Sequence, residues 1–199
     1  MLDYHFTQKV VVGFLLLSTV FTACAGSSRY VSPDEVSQFD DRYSETDMRL
    51  MGEKMAQSIV AHKEIAGREN PCAIGLLHIE NRTSEYIDTD AIADKIMVAL
   101  LKTGKVKFVD RKILDDIFKE YGLSSSGFID PSKVKKAGKA LSADYFLAGQ
   151  LESIHKEDRR KSLTFYRLSM RLTSTETTEI VWADEKELRK KKTKGILKW

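Results

Sequence analysis

From Ser44 onward the apolar positions follow two periods, one helical and one of two residues. Met48, Met51, Met55 and Ile59, with Val60 beside them, recur at helical spacing. Ser44-Glu45-Thr46-Asp47 stands just before them and fits a capping box: a serine at the N-cap and an acid three residues on. A helix is therefore expected to open at Ser44 and to stop by Gly67. Residues 73–79 form a short, continuously apolar run, the pattern of a strand buried on both faces. Asn81-Arg82-Thr83 follows as a turn, since an asparagine side chain satisfies nearby backbone groups. Asp88 caps a second helix with Ile92, Ala93, Ile96, Met97, Leu100 and Leu101 inward, ending by Gly104. Residues 106–109 give a second strand. Asp110 caps a helix with Ile113, Leu114, Ile117, Phe118 and Tyr121 inward, up to Gly122. A loop over 123–129 leads to Asp130-Pro131, a helix start because proline suits the first turn.

Beyond residue 142 the period changes to two. Residues 143–154 form a long strand. Residues 155–161 form a charged hairpin tip, and residues 162–173 return with Tyr166, Leu168, Met170 and Leu172 alternating against Arg167, Ser169 and Arg171. Ser174–Thr177 turns again, and Thr178, Ile180 and Trp182 mark the last strand. Helices between the first strands imply parallel pairing, and tight hairpins at the end imply antiparallel pairing. The predicted fold class is α/β: a single domain with a mixed sheet of about five strands, βαβαα then a β-meander, behind an extra N-terminal helix.

Before Ser44 the pattern is of another kind. Lys9 precedes the apolar run Val10-Val11-Val12-Gly13-Phe14-Leu15-Leu16-Leu17, and small residues lead into Ala23-Cys24-Ala25. That order is a secretory signal peptide. A cysteine directly after the small residues is what a bacterial lipobox needs, because its thiolate accepts a diacylglycerol thioether and cleavage then leaves a lipidated N-terminus. An ordinary signal-peptidase site or an uncleaved anchor are the other readings of Cys24. The run falls short of the ~20 apolar residues that span a bilayer. Residues 25–43 are polar and turn-prone and read as a tether. Its extended limit is roughly 60–70 Å, and its average reach as a coil is ~25 Å. The domain reading is thus 1–23 signal peptide, 24–43 lipidated cysteine and tether, 44–185 globular domain and 186–199 basic tail.

Composition changes this picture little. The chain is 42% hydrophobic and 31% charged, with a net charge of +3, as expected of a globular protein. The charge is uneven: Lys186, Arg189, Lys190, Lys191, Lys192, Lys194 and Lys198 face only Glu187 in the last stretch. That stretch reads as a solvated terminus first and as a contact for anionic headgroups second, and export makes nucleic acid the least suitable partner. After Cys24 only Cys72 remains, with apolar neighbours, so a buried free thiol is expected. His62, His78 and His155 lie far apart, and Asp115 and Asp116 diverge on a helix. Phosphate-loop, dinucleotide, zinc-protease and serine-elbow motifs are absent from the sequence. No catalytic residue, metal ligand, cofactor or small-molecule substrate is expected, and the chain reads as a non-enzyme.

Five segments in order carry a resemblance: Ser44-Glu45-Thr46-Asp47, Ile79-Glu80-Asn81-Arg82-Thr83, Lys107-Phe108-Val109-Asp110-Arg111, Ala143-Asp144-Tyr145-Phe146-Leu147-Ala148-Gly149, and Thr178-Glu179-Ile180-Val181-Trp182. The chain resembles the LpoB family of lipoprotein activators of bifunctional penicillin-binding proteins, whose fold is similar to the N-terminal domain of TolB and to the curli secretion lipoprotein CsgG. The resemblance implies a regulator of peptidoglycan synthesis that docks on a bifunctional synthase. It implies an anchor at Cys24 on the periplasmic face of the outer membrane. It also marks Asn81, Arg82 and Thr83 as a recurrent position, structural first and partner-contacting second. The short tether departs from the long linker of enterobacterial LpoB, which keeps a second expectation in view: a structural or secretion-associated lipoprotein of the CsgG/TolB-like kind.

Overall fold

The computed structural model describes residues 30–32, 35–36, 41–123 and 130–193. Cys24, the signal segment and the loop over 124–129 lie outside them. The chain divides into two compact units, Val36–Trp199 and Met1–Glu35. Among the described residues, those that are buried belong to the first of these, so it carries its own core, which is what independent folding of a domain requires.

Helix α1 (Glu45–Ala61) begins where the capping box places it. Asp47 accepts the Ser44 backbone N–H at 2.8 Å and its hydroxyl at 2.9 Å. It ends earlier than Gly67, because His62 turns to extended backbone and caps a short second helix, α2 (Lys63–Ala66). Strand β1 (Cys72–Arg82) follows, then α3 (Thr89–Leu101), β2 (Val106–Phe108), α4 (Arg111–Glu120) and α5 (Pro131–Leu141). Asp88, Asp110 and Asp130 each cap the helix expected of them, their side chains accepting backbone N–H groups of the first turn. Three long strands close the chain: β3 (Tyr145–Glu157), β4 (Lys161–Ser174) and β5 (Ile180–Thr193).

The sheet runs β2-β1-β3-β4-β5. Its first two pairings are parallel and its last two antiparallel, as expected. Two helical layers cover it. On one face α1 and α3 bury Met51, Met55, Ile59, Ile92, Ile96 and Leu100 against the inner residues of all five strands. On the other, α4 and α5 bury Leu114, Phe118, Val134 and Ala137 against Leu77, Phe146 and Ala148. Leu76 and Leu77 alternate to the first and second layers as strand neighbours do, and the bulge between Leu76 and Ile79 returns Ile79 to the first layer.

Three expectations are corrected. The basic stretch 186–199 is not a free tail in its first part: residues up to Thr193 are strand β5, paired with β4 from Thr173 back to Lys161. The physical reason is a period-two pattern hidden under charge. Trp182, Asp184, Leu188 and Lys190 all turn toward α1, where Asp184 meets Lys54 at 2.6 Å and Lys190 meets Asp47 at 2.7 Å. Leu101 and Ile113, expected inward, are 45% and 55% exposed, because each sits one step off its helix's covered stripe. Asn81 and Arg82 belong to the end of β1 rather than to the turn after it.

A candidate docking face on the uncovered half of the sheet

Helices α4 and α5 reach only the lower half of their face of the sheet. Past Ala148 the second cluster takes no residue from β3, β4 or β5, so among the described residues the strands continue beyond the helical cover. Strand register then places side chains in rows across four strands. One row is Glu80, Gln150, Ser169 and Glu185. The next is Arg82, Glu152, Arg167 and Glu187. A third is Ile154, Phe165 and Arg189.

Charge alternates along the second row, and its ions pair on the face itself, within the row and with the glutamates of the first. Arg167 binds Glu152 Oε2 through Nη2 at 2.6 Å and Nε at 3.2 Å, and reaches Glu185 at 3.9 Å. Arg82 Nε lies 3.1 Å from Glu80. Ile154 is 57% exposed, and the Arg189 guanidinium lies 5.7 Å from the centre of the half-buried Phe165 ring. Arg82, Glu152, Ser153, Ile154, Phe165 and Arg167 line a groove of about 450 Å³. An apolar centre rimmed by paired charges can accept a complementary protein surface.

The turn after β1, residues 83–87, sets one border of the face, held by Asn81 at the strand's end. Asn81 donates to the carbonyls of Glu85 (3.0 Å) and Ile87 (3.3 Å) and accepts the Thr83 N–H at 2.9 Å. The Thr83 hydroxyl lies 2.8 Å from Asn81 Oδ1 and accepts the Glu85 N–H at 3.1 Å. Both side chains are thus occupied by the turn, and Arg82 between them projects outward onto the face. Glu85 of the same turn accepts the Tyr43 N–H at 3.3 Å and the Tyr166 hydroxyl, tying it to the start of the domain.

The remaining candidates are dispersed. Cys72 is buried, and loss of solvent pushes its thiol pKa up. His62 accepts the Glu64 N–H, His78 meets Asp90 at 2.9 Å, and His155 meets Thr164 at 2.8 Å. Asp115 lies 3.8 Å from His78 Nε2, and among the described residues no group of three or more His, Cys, Asp or Glu could hold a metal ion. No described helix is long and apolar enough to cross a membrane. Sequence reasoning missed Ile154, Phe165 and Glu152. The polar alternation of β4 exposed one face of that strand, but nothing in the sequence said that the helices would stop short of it.

No curated protein matches the chain by sequence. Among solved structures, the C-terminal domain of LpoB from Salmonella enterica superposes with a TM-score of 0.54 at 18% identity, covering 71% of this chain and 98% of that one. The same domain from Escherichia coli gives 0.51 at 18% identity with the same coverage. At this identity the likeness shows the fold, a mixed α/β domain with a five-stranded sheet. A family model described as peptidoglycan-synthase activator LpoB matches residues 47–188, a span that includes the whole of the docking face up to Glu187, and the chain belongs to that family.

Proposed function

We propose that this protein is an envelope lipoprotein, acylated on Cys24 and held at the periplasmic face of the outer membrane, that docks on a bifunctional penicillin-binding protein and raises its activity. The observation that carries the reading is the family match over residues 47–188. The family's role is that of an activator, so the chain's own task is binding rather than bond-making. The uncovered half-sheet supports it as the docking surface. Ile154 and Phe165 supply desolvated area, and Arg82, Glu152, Arg167 and Glu187 set register by opposite charges. In this reading Arg82 contacts the partner, while Asn81 and Thr83 hold the turn that presents it.

The test is glycan polymerisation by each bifunctional synthase of the source organism, with and without residues 36–199. Stimulation is expected with one of them, and Ile154→Asp combined with Arg167→Glu is expected to reduce it at least tenfold without unfolding the domain. An unchanged rate at saturating domain against every such synthase would falsify the reading. The short tether favours a second reading, a structural or assembly-associated lipoprotein working close to its own membrane. Crosslinking in cells to outer-membrane proteins and to no synthase is the result expected of that one.

A further inference from the structure

The ribbon formed by β3, β4 and β5 carries its positive charge at one end. Lys156, Arg159, Arg160 and Lys161 lie on or beside the β3–β4 turn. Pairing of Ser162 with Lys192 and of Leu163 with Lys191 brings two further cations alongside, and all six are exposed. The acids at this tip are Glu157 and Asp158. One Asp158 oxygen accepts the backbone N–H groups of Arg160 (2.7 Å) and Lys161 (2.8 Å), so it serves the turn. Ile154 and Leu163, 57% and 40% exposed, stand next to the cations.

A second, independent observation is where the chain from residue 24 joins the domain. Asp41 is buried at this same end, its carboxylate accepting the Thr164 hydroxyl at 3.1 Å and lying 3.8 Å from His155 Nδ1. The Arg42 carbonyl accepts Lys190 Nζ, and Lys190 also reaches Asp47. The segment that leads back to Cys24 therefore leaves the domain beside the basic tip, on a stretch whose composition gives an average reach of only ~25 Å.

We propose that the basic tip of the β3–β4–β5 ribbon is a membrane contact that rests on the phosphate groups of anionic lipids in the leaflet that holds the tether. On the reading that Cys24 carries a diacylglycerol, that anchor holds the domain at the surface, and a cluster of cations beside it adds attraction to anionic headgroups. Each cation close to an anionic surface strengthens binding roughly five-fold. The contact stands the strands upright on the membrane and turns the docking face sideways, at a fixed height. It does not depend on the identity of the docking partner, and its failure leaves the synthase reading where it stood.

The experiment is co-sedimentation of residues 36–199 with vesicles of mixed phosphatidylglycerol and phosphatidylcholine, and with phosphatidylcholine alone. Binding is expected to the anionic vesicles only, and to weaken at least tenfold between about 50 mM and about 500 mM salt as the charges are screened. Arg159→Ala with Arg160→Ala and Lys161→Ala is expected to weaken it about a hundredfold, from three five-fold steps, with an unchanged circular dichroism spectrum. Ending the chain after Thr193 is expected to leave binding intact. Equal binding to both vesicle types, full binding by the triple variant, or loss of binding on that truncation overturns the proposal. So does release by millimolar inorganic phosphate, which would assign a discrete phosphate site instead.

Discussion

Asp41 is a buried carboxylate that fastens the segment leading into α1 to the first residues of β4. A hydrogen bond from Ser162 is the main reason that its pKa lies below the ordinary range. Burial works against this, and its own backbone N–H, the Thr164 hydroxyl and the charge of His155 help. A folded-state pKa below the unfolded value of about 3.9 means stability that is fully present above the unfolded value and is lost as pH falls through the folded one. Amide exchange at Arg42 and Tyr43 should therefore stay slow at neutral pH and accelerate only below about pH 4, and Asp41→Asn should abolish that acid step. Gly138 makes a different kind of demand. A Cβ there would stand 2.4 Å from Thr175 Cβ, and the Thr175 hydroxyl is already held by the Ala143 carbonyl at 2.6 Å. Gly138→Ala should cost about 1–3 kcal/mol, read by urea denaturation. Cys72, buried and with its thiol pKa raised by desolvation, should resist maleimide in the folded protein and label fully once unfolded.

Helix α1 and strand β5 define each other. Lys54 and Ser58 hold Asp184, the Trp182 indole donates to Ser58 at 3.3 Å, and Asp47 serves at once as capping acid and as partner to Lys190. The Lys190 and Asp47 side chains are only 12% and 8% exposed. Asp47→Ala should therefore destabilise by about 3–5 kcal/mol, more than cap loss alone, because it strands a half-sheltered ammonium. This pair also explains what could and could not be read in advance. The caps at Ser44, Asp88, Asp110 and Asp130, the methionine stripe and the alternation of β4 are local signals, and the elements they announce are where they were expected. Strand β5 was expected at Ile180 and Trp182, but its continuation to Thr193 was not, because its inward positions include Asp184 and Lys190, whose partners sit more than a hundred residues away. The charges looked like solvent-facing terminus until α1 supplied their counterions. The docking face was illegible for a related reason: the extent of helix cover over a sheet depends on helix lengths and packing, and Ile154 and Phe165 read as ordinary strand residues.

At the scale of the whole molecule, anchor, domain and partner form a problem of distance. On the proposed reading a domain held by residues 24–40 samples only a thin shell beside its membrane. Inserting a long Gly/Ser segment after Ser28 should raise crosslinking to a synthase in the opposite membrane several-fold, since effective concentration collapses when a linker cannot span its sites. Unchanged crosslinking would place the partner within the original reach. The fold itself, with its parallel start and antiparallel finish, was readable from the order of elements, whereas the partner's location depends on a geometry that no element encodes. One consequence of the sheet order concerns other copies of the same chain. Strand β5 is fourteen residues long and, among the described residues, pairs on one side alone, so it offers a template to a passing strand. Its Glu185, Glu187, Arg189, Lys191 and Lys192 are exposed charges, and laying two such margins side by side in parallel register would set lysine against lysine and glutamate against glutamate. Those charges weigh against parallel strand-by-strand stacking, and on the proposed reading they would do so in a protein concentrated by its anchor on a two-dimensional surface.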